Sequence, residues 1–215
     1  MPRQLTKDRS LREACVEQAL SIIAEAGLEQ LSLREVARRL GVSHQAPYKH
    51  FPSRDYLLAE VVSRAFADFA KYLDGRKLSG DPANDLGSLG QAYVRYALKN
   101  PLQYRLMFGT PLPNPDQHPE MLRNARHAFS ALRKALQQLY AESSRIRDTD
   151  EIDLEALFVW SAVHGLASIL NTSAITTLPI SPAVLASTAP YVLQRIGAAI
   201  RSDPPAIDAQ RKRRS

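Results

Sequence analysis

The stretch GVSHQAPYKHF, Gly41 to Phe51, gathers Gln45, Tyr48 and Lys49 within one turn or so of chain and places a proline, Pro47, among them. Take His44 as zero at about 100° per helical residue. Tyr48 then lies at about 40°, Gln45 at about 100° and Lys49 at about 140°, whereas Ala46, Pro47, His50 and Phe51 fall from about 200° to about 340°. One arc is polar and hydrogen-bonding, and the opposite arc is mostly apolar. That chemistry is recognition. Catalysis lacks a constellation: His44, His50, His118, His127 and His164 show no HExxH or similar metal spacing, and the chain has no Gly-rich phosphate loop and no GxSxG elbow. The acidic run DTDEID, 148–153, reads as a helix cap, with Asp150 and Asp153 favourable to the dipole, rather than a cation site. No catalytic residue, metal ligand or cofactor is predicted.

Charge points to an anionic partner. The 215 residues carry a net charge of +6, with 28 Lys and Arg against 22 Asp and Glu. The excess sits in residues 1–12, in 32–54 (Arg34, Arg38, Arg39, Lys49 and Arg54 against Glu35) and in the tail after Arg201. The tail, with its prolines, reads as a solvated basic segment, 203–215. At 45% hydrophobic residues the chain can bury a substantial core. No run approaches the length of a membrane span, and the start lacks the apolar segment of a secretory signal, so a cytoplasmic protein is expected. The single cysteine, Cys15, reads as a small core residue.

The elements that must carry the polar arc are short helices. Leu11, Cys15, Ala19, Ile22, Ile23 and Ala26 follow one helical face, and Gly27 stops it, which predicts a helix over 8–26. Ser32-Leu-Arg-Glu35 reads as a capping box opening a helix over 33–40, buried through Val36, Ala37 and Leu40. Gly41 suits the left-handed residue that ends it, and Ser43 can cap a third helix from His44. The result is a helix-turn-helix. Pro47 then falls near a helix start, where its missing N–H costs little, and distorted geometry is expected at Ala46.

These residues resemble the TetR-type family of transcriptional regulators. The resemblance covers about residues 10–60 and rests on Gly27, Leu31-Ser32, Val36-Ala37, Gly41-Val42-Ser43, Tyr48 and His50-Phe51 in the family's order and spacing. It implies a third helix in the DNA major groove, a homodimer, and a helical remainder that binds a small effector. Carried over by position, Ser32, Arg34, Ser43, Tyr48, His50 and Arg54 are expected at phosphates or at the helix caps that face them, and His44, Gln45 and Lys49 at base edges. His50 lies at the edge of the packed arc.

The rest of the chain reads as helices at 53–74, 85–99, 101–108, 119–146, 150–172 and 182–201, with a linker over 75–85 and a proline-rich loop, GTPLPNPDQHP, without regular structure. The expected fold is all-α. Residues 1–52 form a helix-turn-helix DNA-binding domain, and 53–202 form a helical domain for effector binding and dimerisation, joined by the helix over 53–74. The last two helices are apolar around most of their circumference, so one face of each is expected at a two-fold contact, with Leu193 and Ile196 in it. Trp160, His164 and Gly165 resemble a C-terminal effector domain named WHG. A mostly apolar effector is expected near Tyr93, Met107, Phe108, Phe129, Trp160 and His164, although the same residues suit a core. The expected function is a homodimeric repressor released from a near-palindromic operator by a small molecule. The alternative is an effector-independent architectural or interaction protein on DNA.

Overall fold

The computed structural model describes residues 2–141 and 148–202, with side chains from Ser10 onward. The basic tail lies outside the described residues, as do the side chains of Arg3, Lys7 and Arg9. Eight α-helices and four short 3-10 turns make up the described chain, with no strand among the described residues. They fall into two compact units. Among the described residues, 2–74 and 99–128 form the first, and 75–98 with 129–141 and 148–202 form the second.

In the first unit, α1 (Pro2–Ala26) begins earlier than the periodicity predicts, because nothing between Pro2 and Asp8 breaks a helix. Its buried stripe is Cys15, Val16, Ala19, Ile22 and Ile23. Gly27, at φ 88, ends it, and a 3-10 turn, Leu28–Gln30, leads to α2 (Leu33–Leu40). The Ser32 hydroxyl accepts from the Glu35 N–H at 3.1 Å, but the reciprocal half of the expected capping box is missing. Glu35 turns instead to Arg38 and Arg39. Gly41, at φ 66, closes α2 in the left-handed conformation, where a side chain would be strained.

The expected third helix is not a regular α-helix. Residues 44–46 form a turn and Pro47–Lys49 a single 3-10 helix, held by Ala46 N–H to Ser43 O at 2.9 Å and His50 N–H to Pro47 O at 3.0 Å. Pro47 has no N–H to offer Ser43, so α-type pairing cannot start at His44. The strain expected at Ala46 is absent: its backbone is ordinary helical, φ −62 and ψ −45. The Ser43 hydroxyl caps nothing here, and its carbonyl serves instead.

Next comes α3 (Arg54–Asp74), whose Leu57, Val61 and Ala65 are buried along with Phe66 and Phe69. Phe108, in α5 (Pro101–Phe108), packs edge-on against Phe66 and Phe69 at centroid distances of 5.7 and 6.3 Å. These contacts draw residues 99–128 into the first unit. The proline-rich loop holds one 3-10 turn, Pro115–Gln117, whose Asp116 N–H is accepted by the Asn114 side chain at 3.0 Å. Then α6 (Pro119–Ala141) begins; the unit boundary falls inside it. Residues 142–146, expected to extend it, lie outside the described residues.

The second unit comprises α4 (Pro82–Lys99), the later part of α6, α7 (Thr149–Asn171) and α8 (Pro182–Arg201). Asp148, not Asp150, caps α7, in a full capping box with Glu151, and Asp153 instead forms an ion pair with Arg133. By length and composition α7 alone among the described helices could cross a membrane, but a third of that window is buried within the protein. Leu154, Leu157, Phe158 and Ile169 are exposed along α7, as are Val184 and Tyr191 on α8. Leu193 and Ile196 are not on that outer face. Ile196 is buried and Leu193 approaches Gly90 of α4, so both point into the unit, contrary to expectation.

Candidate functional site

Two hydrophobic residues fix the turn that follows α2. Pro47 is buried and Phe51 is 2% exposed against the α1–α2–α3 core. Full burial of a side chain of that size stabilises the fold by about 1.5–3 kcal/mol. Opposite them, His44, Gln45, Tyr48 and Lys49 are exposed. The polar arc therefore survives although the regular helix does not, because one 3-10 turn is enough to oppose Pro47 to its neighbours. Ser43 is also exposed, while His50 is half-buried, with its Nε2 shielded and without a partner in the structure. Contact through that nitrogen requires the ring to turn.

The charge on this surface is smaller than the sequence count implies. Glu35 accepts from Arg38 at 2.7 Å twice and from Arg39 at 2.9 Å, and Arg39 also donates to Glu25 at 2.6 Å. Arg38 first, and Arg39 next, hold the Glu35 carboxyl down to about 2. Arg34 and Lys49 are exposed and paired with no described residue, so they are the two cations of residues 32–54 fully available to an anion. Arg34 stands in the first turn of α2, where the unpaired N–H groups and the dipole favour a phosphate.

Arg54, expected at a phosphate, has bonds within the protein. Its Nε donates to the Leu31 carbonyl at 3.0 Å and its Nη2 to the Leu28 carbonyl at 2.9 Å, with Asp55 at 3.8 Å. It ties the start of α3 to the corner before α2. Ser32, committed to the Glu35 N–H, still has its hydroxyl proton at the α2 N-terminus.

A second polar tie was not found by sequence reasoning. Glu60 of α3 accepts a two-pronged contact from Arg12 of α1, at 2.9 and 2.7 Å, and a further bond from Arg64 at 2.8 Å. Arg64 in turn pairs with Glu13. The Arg12 guanidinium lies 5.3 Å from the centre of the Phe51 ring, so one side chain touches both α3 and the residue that follows the Pro47–Lys49 turn. The Glu60–Arg64 spacing is visible in the sequence, but a partner 48 residues away is not.

In the second unit, Tyr93 of α4 is buried and its hydroxyl lies 3.0 Å from His164 Nδ1. Trp160 sits between His164, at 6.2 Å between ring centres, and Phe129 of α6, at 5.9 Å. Burial pushes the His164 pKa down, which favours the neutral ring. Four of the six residues expected at an effector site are thus brought together. Met107 and Phe108 belong to the first unit, where Met107 is buried and Phe108 packs among Phe66, Phe69 and Tyr104.

Residues 16–61 match the model for bacterial regulatory proteins of the tetR family, and residues 86–189 match a tetracyclin repressor-like C-terminal domain. The chain is 30% identical over 156 residues to the uncharacterized HTH-type transcriptional regulator Rv0681 of Mycobacterium tuberculosis, covering 72% of this chain and 67% of that one. It is 23% identical over 118 residues to the nucleoid occlusion factor SlmA of Glaesserella parasuis, covering 54% and 58% respectively. Other mycobacterial HTH-type regulators are 31% identical over 94 residues, a match that spans 40% of their length. The fold is that of a bacterial regulatory protein in the tetR family from Rhodococcus RHA1, with a TM-score of 0.64 over 87% of this chain and 97% of that one at 17% identity.

Proposed function

Because this chain belongs to the tetR family and is a transcriptional regulator, we propose that it acts in the cytoplasm as a homodimeric repressor released from its operator by a small, mostly apolar effector. The observation that carries the DNA-binding half is the exposed polar arc of His44, Gln45, Tyr48 and Lys49 held rigid by buried Pro47 and Phe51. Gln45 and Lys49 read base edges, Gln45 by pairing with adenine N6/N7 and Lys49 by donating to guanine O6/N7. Ser32, Arg34 and Tyr48 hold the backbone and set the register, with Ser43 and His50 at the margin of the contact. Arg54 supports the surface from behind.

Dimerisation follows from the outward apolar faces of α7 and α8, with Leu154, Leu157, Phe158, Val184 and Tyr191 exposed. A large apolar face on a soluble chain is covered by another surface, and a self-complementary pair of helices does so with two-fold symmetry. The operator is then a palindrome or near-palindrome with half-sites about one helical turn or more apart. Tyr93, Phe129, Trp160 and His164 supply the mixture of aromatic surface and polar tips that holds a small molecule, and Trp160, His164 and Gly165 carry the likeness to the WHG type.

The test is to recover the DNA fragments that the purified protein selects from its genome, footprint them, and screen small apolar compounds for quenching of the single tryptophan together with loss of operator binding. Compounds that perturb Trp160 but never shift operator affinity would favour the second reading, an architectural DNA-binding protein. The similarity to a nucleoid occlusion factor supports that reading.

A further inference from the structure

The second unit contains a cavity of about 50 Å³ between α4, α7 and α8, with the end of α6 at its edge. Its wall is almost wholly apolar, including Leu86, Val163, Ile196 and Ile200; Gly87 leaves α4 bare where it faces the space, and Leu193 of α8 closes over Gly90. Tyr93, Phe129, Trp160 and His164 are not in the lining, so the cavity is separate from the aromatic cluster.

One lining residue breaks the pattern. Arg201, in the last turn of α8, borders the cavity and is exposed, and no described acidic side chain pairs with it. Its Nη1 lies 3.5 Å from where a Cβ on Gly197 would stand, so the guanidinium folds back along α8 at the rim instead of extending away. An apolar space with one cation at its mouth, unpaired among the described residues, is complementary to an amphiphilic anion. Size limits the chain: a water-sized group needs roughly 10–15 Å³, so the space takes about four such groups in a row.

We propose that this cavity binds a short aliphatic carboxylate, of about four to six carbons by that volume, whose chain lies between α4, α7 and α8 and whose carboxylate pairs with Arg201. Each buried methylene raises affinity roughly fourfold. The Arg–carboxylate pair then distinguishes an acid from an alcohol of the same length.

Calorimetric titration of the full chain with hexanoate, acetate, hexanol and hexylammonium at neutral pH tests this. Hexanoate is expected to bind with a negative heat-capacity change, about tenfold more tightly than hexanol, and acetate and hexylammonium not measurably. Arg201→Gln, at an exposed position, should bring hexanoate down to the level of hexanol. Gly87→Leu, where an added Cβ meets nothing within 4 Å, should obstruct the space and cost more than tenfold in hexanoate affinity. Replacing a mid-helix glycine with leucine favours the helix, so the variant should keep its circular dichroism and melting temperature. The proposal is overturned if hexanoate gives no binding heat, if it binds no better than hexanol, or if either variant, folded, retains wild-type affinity. DNA is absent from the titration, so its failure and a failure of operator binding are separate results.

Discussion

Gln45 and Arg34 are expected to serve DNA binding in different ways, and the difference is measurable. Gln45→Ala should cost roughly 1–3 kcal/mol on the cognate operator and little on random DNA, whereas Arg34→Ala should weaken both and reduce the salt slope by about 1. Equal losses on both DNAs for Gln45→Ala would remove it from base reading. Glu35 restrains the charge of its own surface. It accepts from Arg38 and Arg39, and Glu35→Gln should release at least one of them, steepening the salt slope of binding to random DNA by about 1. Arg38 and Arg39 depress the pKa of Glu35, so its contribution to stability is present above the ordinary carboxylate range and disappears as pH falls through about 2. For His164 burial depresses the pKa, so the unfolded chain takes up its proton first. Stability from that site is complete above the ordinary histidine pKa and declines as pH falls below it. The fall in melting temperature from pH 7.5 to 5 should therefore be smaller in His164→Gln than in the wild type.

Among the elements, two arginines tie α3 to its neighbours, one from its own first turn and one from α1. Arg54 satisfies the Leu28 and Leu31 carbonyls, and Arg12 reaches from α1 to Glu60 while covering Phe51. Arg54→Ala leaves those carbonyls without their donor and should lower stability by about 1–3 kcal/mol in urea denaturation. Because Arg54 already has protein partners, the salt slope of DNA binding should change less than it does in Arg34→Ala. Glu60→Gln weakens the charge-assisted bonds from Arg12 and Arg64, and a loss of about 1–3 kcal/mol is expected. If α3 positions the recognition turn through Arg12 and Phe51, the same variant should reduce operator affinity more than affinity for random DNA. A parallel loss on both would confine the network to stability.

For the whole molecule, the faces of α7 and α8 separate two kinds of apolar residue. Leu157→Asp with Phe158→Asp places charge on the outward face and should yield folded monomers by sedimentation, with operator affinity sharply reduced. Ile196→Asp places an unpaired charge at a position only 7% exposed and should unfold the second unit instead. A folded dimer from the first variant would move the interface away from these helices.

The helical class, the helix limits at 33–40, 101–108 and 182–201, and the polar arc opposite Pro47 were all written into local sequence. Periodicity, caps and breakers act over a few residues, so they can be read without a fold. The loss of regular helix at His44 was also a local matter, but it depended on which of two short-range hydrogen-bond patterns the proline allowed. Other features needed the tertiary structure because they join distant segments. One partner of Glu60 is 48 residues away, Arg54 reaches back to Leu28, and Phe108 packs against Phe66. Helices apolar on nearly every side gave no sequence signal for which face turns inward, and so Leu193 and Ile196 were expected on the outside. Only packing against Gly90 and its neighbours decided that they face in, since the side without room for a larger residue on α4 is the side α8 can approach.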